Sequence, residues 1–399
     1  MISLAGRDIL HAWGKFVFTG IGLGLLIGVT LVMAGVYRGM VEDGRVLLDS
    51  SSADLWVVQQ QTLGPYAESS SIPDDAWRSL PVVAGVRKAA GITYQTLQIH
   101  HQGTDVRVMV VGIAPGGPGT PGWPPQLIDG RHITRSHYEA VADQASGFVV
   151  GDHVQIRRNV YTVVGLTRRM VSSSGDPMIF IPLKDAQDAQ YLKDNDAILM
   201  QRRRNAQNPV FNQPGQGGVL EAVNDSQSSN HQVNAVLLQL KDGFSAEQVA
   251  GPIRRWQRYT VYDRTQMDDI VVRKMIATSA KQIGMFLVIL AIVSAAIIAF
   301  IIYTLTMDKI REIAVLKLLG TRNRTIAAMI LQQALVLGVI GFVVGKISAT
   351  WSAPLFPKYV WLIPQDTAAG FVAIMAICVL SSLVAIRMAL KVDPADAIG

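Results

Sequence analysis

The sequence predicts a polytopic α-helical membrane protein with four transmembrane helices and a large α+β extracytoplasmic domain between the first and the second. Three observations carry this prediction. Of 399 residues, 50% are hydrophobic and only 17% are charged, whereas soluble domains carry about 25% charged residues. Four apolar runs are long enough to cross a bilayer core, which takes about 20 helical residues. Between the first two runs lies a long polar stretch patterned as strands, hairpins and short helices. The same composition excludes intrinsic disorder and collagen-like repeats. The single cysteine, Cys378, excludes a disulfide framework within the chain and any zinc site built on several thiolates.

Residues 1–15 read as a cytoplasmic amphipathic elbow helix, with Ile2, Ile9, Leu10 and Trp13 apolar and Arg7 and Lys15 basic. The first span is 16–37, a run of 22 residues without a charge. It is longer than the roughly 7–15 apolar residues of a secretory signal, and no small-residue cleavage site follows, so an uncleaved anchor is expected. Residues 38–282 form the inserted extracytoplasmic α+β domain, with helical stalks expected over Arg38–Leu48 and Thr265–Lys281. The second span is 283–307, followed by a cytoplasmic coupling helix and loop over 308–325. The third span is 326–348, a short outer loop is 349–367, the fourth span is 368–386 and a cytoplasmic tail is 387–399.

Charge sets the orientation. Lys309, Arg311, Lys317, Arg322 and Arg324 crowd the loop after the second span, against Asp308 and Glu312. The loop after the third span has only Lys358 and Asp366. Excess Lys and Arg mark cytoplasmic loops, so both termini are expected inside and the insertion outside. The insertion holds 25 of the 36 basic and 24 of the 30 acidic residues, and so only +1 of the formal +6. The basic surplus is a topology signal, and no nucleic-acid partner is expected.

Within the insertion, Asp54–Gln59 reads as a strand and Pro73–Leu80 as a short helix. Ile92–His100 and Val106–Ile113 flank Gln102-Gly103-Thr104-Asp105 as a hairpin. Gly112–Pro125 and the polar stretch Arg202–His231 read as loops. Gly151-Asp152 reads as a turn, with strands at Tyr161–Gly165, Met178–Leu183 and Val233–Leu240. A capped helix over Ser245–Tyr259 and a strand at Thr260–Tyr262 close the domain. No catalytic or metal site emerges. His100, His101, His132, His137, His153 and His231 form no H-E-x-x-H, and Ser172–Ser174 lacks a nucleophile-elbow context. Arg202–Arg204 reads as a solvated charge run.

In the spans, Gly20, Gly24 and Gly28 form a ladder four residues apart, and Gly341 and Gly345 repeat one step of it. Such ladders let helix backbones approach closely. Gly345-Lys346-Ile347-Ser348 has the Gly-Lys pair of a phosphate loop, but Ile347 stands at the Ser/Thr position and Ile340 at the first glycine. No cofactor is expected in this chain. Asp308–Gly320 (DKIREIAVLKLLG) is the most informative short segment: Ile310, Ile313, Ala314, Leu316 and Leu319 recur at helical spacing, and Gly320 fits a helix stop. Periodicity leaves two readings open, a helix lying in the membrane interface or one docked in a groove of a partner.

Arg311–Ile326 (REIAVLKLLGTRNRTI) closely resembles the segment after the second span of FtsX-like permeases, the MacB-type mechanotransmission ABC transporters. Arg311, Glu312, Ile313, Ala314, Leu316, Lys317, Leu319, Gly320 and Ile326 agree with that pattern, while Leu318 and Thr321 replace its usual alanines. Gly151-Asp152-His153-Val154 with Tyr161–Gly165 resembles the outer-domain signature of the family, and Val392–Ile398 resembles its C-terminal ending. With no fused ATPase, the chain is similar to the DevC-like or lipoprotein-release branch.

The resemblance implies a permease subunit in the bacterial inner membrane, pairing with a second copy and with a cytoplasmic ABC ATPase that holds the ATP and magnesium. A periplasmic adaptor (membrane fusion protein) and a TolC-like outer-membrane channel are its implied further partners, and export or extraction of a substrate its implied task. Arg311, Glu312, Leu316, Lys317 and Gly320 are the implied ATPase-contact set. The alternative is an FtsX-like signalling protein that activates a periplasmic cell-wall hydrolase and transports nothing; its outer domain is usually much shorter than residues 38–282.

Overall fold

Apolar runs flanked by polar residues become helices here because a chain crossing lipid must satisfy its backbone hydrogen bonds internally. In the computed structural model, which describes residues 13–101, 103–190, 195–211, 218–228, 231–256, 258–356 and 358–391, four helices are long and apolar enough to span a membrane. Most of the expected elbow helix and all of Val392–Ile398 lie outside the described residues. Two compact units result: one is Met1–Met40 with Thr278–Gly399, the other Val41–Ala277.

Along the chain, α1 spans Trp13–Ser50, followed by β1 (Leu55–Gln59), β2 (Ile72–Pro73) and the short α2 (Ala76–Ser79). The strands β3 (Val86–His101), β4 (Thr104–Ile113), β5 (Asp129–Gly130), β6 (Glu139–Asp143), β7 (His153–Ile156), β8 (Asn159–Thr167) and β9 (Met178–Pro182) follow. Then come α3 (Leu183–Gln190), α4 (Asn195–Gln207), α5 (Val219–Ser228), β10 (Gln232–Val233), β11 (Ala235–Leu240), α6 (Ala246–Arg254) and β12 (Tyr259–Asp263). The chain continues through α7 (Arg264–Asp269), a π-helical turn at Ile270–Met275, α8 (Ile276–Asp308), α9 (Ile310–Leu318), α10 (Asn323–Ser352) and α11 (Pro364–Lys391).

The unit Val41–Ala277 is built on a ten-stranded mixed sheet in the order β12-β1-β11-β3-β4-β9-β6-β8-β5, with β7 pairing β8. The predicted hairpin is present: His101 faces Thr104 across the turn, where Gly103 adopts φ +81°, a conformation that favours glycine. Strand β3 pairs β11 through its first half and β4 along its second, and β4 pairs β9 in parallel. The sequence reading missed β6, although all five of its residues are buried. The end of α1 belongs to this unit, and its Leu47 and Leu48 share a core with Trp56, Ile270 and Val271.

Two corrections concern loops. Arg202–His231, expected as a polar loop, holds the end of α4 and all of α5, joined by a hydrogen bond from Asn205 Nδ2 to Asn224 Oδ1. Both segments are rich in Asn, Gln, Asp, Ser or Arg, so composition mimics a loop. Gly112 and Ile113, where the expected strand Val106–Ile113 and the expected loop Gly112–Pro125 overlap, belong to the strand and end β4; a Cβ on Gly112 would collide with Ala186 and Thr93. The capped helix expected over Ser245–Tyr259 is the shorter α6, closed at its start by a reciprocal capping box between Ser245 and Gln248.

In the membrane unit, the helices are longer than the apolar runs. α10 extends to Ser352 and α11 begins at Pro364. Hydroxyls inside the spans bond to their own helix: Thr30 Oγ1 donates to the Leu26 carbonyl at 3.0 Å and Thr306 Oγ1 to the Ile302 carbonyl at 2.7 Å, as an apolar solvent demands. Arg38 makes a two-pronged bond to Asp366 at 2.8 and 3.0 Å, joining α1 to the start of α11. Among the described residues from Ser279 onward, helix α8 buries Ser294, Ile298, Ile302 and Thr306, one residue per turn.

Candidate functional site

Helix α9 is nine residues long, and its two faces have different tasks. Ile313 and Ala314 are buried, and Ile313 shares a core with Ile302 of α8, Ile326 and Ile330 of α10 and Ala389 of α11. Lys317 also turns to the bundle, where its Nζ donates to the Leu390 carbonyl at 2.9 Å. A cation there answers the exposed carbonyls that end α11. At 100° per residue, the opposite face carries Arg311, Glu312, Val315, Leu318 and Leu319. All five are exposed among the described residues, with Leu318 at 65% and Leu319 at 76%.

The helix stops where the sequence says it should. Gly320 adopts φ +82°, its N–H donates to the Lys317 carbonyl at 3.0 Å, and the Thr321 N–H reaches the Leu316 carbonyl at 3.0 Å. That is the double hydrogen bond of a Schellman terminus, which a left-handed glycine permits.

Of the five residues assigned to this site from sequence, Arg311, Glu312 and Gly320 are exposed, while Leu316 and Lys317 are half-buried. The outward apolar area comes from Val315, Leu318 and Leu319 in place of Leu316. A helical wheel centred on Arg311 carries that signal; matching the family pattern residue by residue does not.

The glycine ladder has a partner within the chain. Gly20, Gly24 and Gly28 of α1 lie against α10. A Cβ on Gly20 would stand 2.6 Å from Ile340 Cγ2, one on Gly24 2.6 Å from Val344 Cβ, and one on Gly28 3.1 Å from the Gly345 carbonyl oxygen. From the other side, a Cβ on Gly341 would meet Leu23 Cδ2 at 2.8 Å and one on Gly345 the Gly24 carbonyl oxygen at 2.8 Å. The Gly-Lys pair at 345–346 therefore lies inside a helix, and Lys346 Nζ donates to Thr367 Oγ1 at 3.3 Å.

Histidines of the inserted domain are scattered. His100 Nδ1 lies 2.8 Å from Asp105, His101 Nε2 lies 3.3 Å from Asp152, and His137 pairs with Asp185. Among the described residues no three His, Cys, Asp or Glu side chains gather as metal ligands. Ser172 Oγ caps its own turn, accepting from the N–H groups of Ser174 and Asp176.

Two family models cover most of the chain. A model described as FtsX-like permease C-terminal matches residues 284–394, and one described as MacB-like periplasmic core domain matches residues 19–256. An uncharacterized ABC transporter permease of Mycobacterium tuberculosis is 26% identical over 400 residues, covering all of this chain and 99% of the relative. Another, of Mycobacterium bovis, is 28% identical over 407 residues with the same coverage. Among solved structures, the periplasmic region of MacB from Actinobacillus actinomycetemcomitans covers 56% of this chain and 93% of its own, at 9% identity and a TM-score of 0.34.

Proposed function

The chain belongs to the MacB/FtsX-type ABC transporter permeases, and we propose that it transmits the ATP-driven motion of a separate cytoplasmic ATPase to the domain inserted between its first two spans. The observation that carries this reading is α9. A short helix with an anchored inner face and an outer face of Val315, Leu318 and Leu319 beside Arg311 and Glu312 is suited to seat in a groove of a partner. The leucines supply area to remove from water, and the charged pair sets register. Helices α1 and α8 each contribute residues to both compact units, so either can carry displacement from one to the other.

In this reading the protein sits in the inner membrane with both termini cytoplasmic, as the Lys and Arg surplus of residues 308–325 supports. It works as a homodimer in export or extraction. ATP and magnesium are held by the ATPase, and an adaptor with an outer-membrane channel completes the path in an envelope with two membranes.

The test is ATPase activity of the purified ATPase with and without the permease in lipid nanodiscs. The permease is expected to change the rate, and Leu318→Asp and Leu319→Asp to abolish that change while the variant still inserts. An unaltered response in both variants overturns the assignment of α9. Co-purification of an adaptor with the ATPase distinguishes export from signalling.

A further inference from the structure

The domain Val41–Ala277 holds a cavity of about 470 Å³, within the range of roughly 300–1,000 Å³ that small-molecule sites occupy. Its floor is apolar: Ile113, Ala114, Trp123, Ile133 and Leu183 line it, and each is at least nine-tenths buried. Its rim is cationic: Arg78, Arg135 and Lys184 line it with one carboxylate, Asp74.

The cations differ in how far they are engaged. Lys184 Nζ lies 3.3 Å from Asp74. Arg135 Nε lies 3.7 Å from Glu139, but that carboxylate is already gripped by both prongs of Arg131, at 2.6 and 3.1 Å. Arg78 has no carboxylate partner among the described residues; its guanidinium lies over the Trp77 ring at 5.3 Å. A guanidinium stacked on an aromatic face keeps its edge N–H groups for an oxyanion.

The walls are preformed. Trp123 Nε1 donates to the Ala114 carbonyl at 2.8 Å, which fixes the indole against the floor. Glu139 accepts the N–H groups of Thr134 and Arg135 at 2.8 and 3.0 Å, and Asp185 accepts that of Tyr138 at 3.0 Å. The loop bearing Ile133, Arg135 and His137 is thereby tied down at both ends, and a fixed site loses less entropy on binding.

An apolar floor rejects a small, fully hydrated ion, and a cationic rim rejects a cation. We propose that this cavity binds a small amphipathic anion, its apolar or aromatic body on Trp123, Ile133 and Leu183 and its single phosphate, sulfate or carboxylate head at Arg78 and Arg135. This assignment is independent of the role given to α9.

The full chain in lipid nanodiscs is titrated calorimetrically with 1-naphthyl phosphate, with empty nanodiscs subtracted and with inorganic phosphate and 1-naphthol as comparators. Saturable binding of one naphthyl phosphate per chain is expected, with each comparator at least about tenfold weaker. Arg78→Gln and Arg135→Gln replace exposed side chains, so their melting temperatures should not move, yet each should weaken binding about tenfold. Absence of binding above empty nanodiscs overturns the proposal. So does inorganic phosphate or 1-naphthol binding as well as naphthyl phosphate, or an unchanged affinity in the double variant.

Discussion

Gly24 on α1 and Gly345 on α10 meet backbone to backbone: a Cβ built on Gly345 would stand 2.8 Å from the carbonyl oxygen of Gly24 and 2.8 Å from Ile27 Cγ2. A carbonyl cannot rotate away as a side chain can, so the helices themselves must separate. Gly345→Ala is therefore expected to destabilise the membrane unit by about 1–3 kcal/mol. Gly22 is the control, because nothing lies within 4 Å of a Cβ placed there. Thermal melts in detergent should show a clear drop for Gly345→Ala and none for Gly22→Ala. Equal behaviour of the two removes the ladder from the packing.

The glycine that ends α9 predicts a different kind of cost. Gly320 has nothing within 4 Å of its missing Cβ, so alanine meets no clash there. What alanine meets is φ +82°, which disfavours any L side chain by about 1 kcal/mol. Gly320→Ala should thus lower stability modestly, and Gly320→Asn should recover part of the loss, since asparagine tolerates this region. A steric account predicts that asparagine, being larger, is worse.

How much of this was legible follows from the kind of signal each feature leaves. The spans and the β3–β4 hairpin announce themselves through runs and a turn glycine, local properties of the chain. The stop at Gly320 is likewise local. Strand β6 reads as a mixed run, EAVAD, because its burial is decided by its neighbours on both sides, β8 and β9. The cavity draws Arg78, Trp123, Ile133 and Leu183 from four separated segments, so no spacing rule can find it. For α9, the pattern was visible and its orientation was not. Lys317 looks like a surface charge until the carbonyl of Leu390, 73 residues later, is placed beside it.

That orientation separates two neighbouring cations. Lys317→Ala removes a donor from the Leu390 carbonyl and is expected to cost about 1 kcal/mol of stability. Arg311→Ala, on the exposed face, should leave the melting temperature unchanged within about 0.5 kcal/mol. Under the proposed function, Arg311→Ala reduces the ATPase response while Lys317→Ala acts chiefly on folding. Melting curves and ATPase rates measured on the same preparations check both, and the reverse pattern would contradict the assigned faces.

Glu139 gives the domain a pH dependence with a definite sign. The Arg131 guanidinium, against the opposing effect of burial, and the N–H groups of Arg135 and Thr134 hold its carboxyl down from 4.5 to about 2. A carboxyl whose pKa is lower folded than unfolded binds more protons when unfolded, so its contribution is complete above the unfolded value and is lost as pH falls through the folded one. The window is therefore from about pH 4.5 down to about 2. Glu139→Gln removes the charge at every pH and leaves the Arg131 fork without its anion, a change expected to cost about 1–3 kcal/mol at pH 7. The variant's melting temperature should then fall less than the parent's between pH 5 and pH 2.5, so that the gap between them narrows in acid. Parallel curves would mean that the Arg131–Glu139 pair does not hold the loop at neutral pH, and the prearranged wall of the cavity would lose its support.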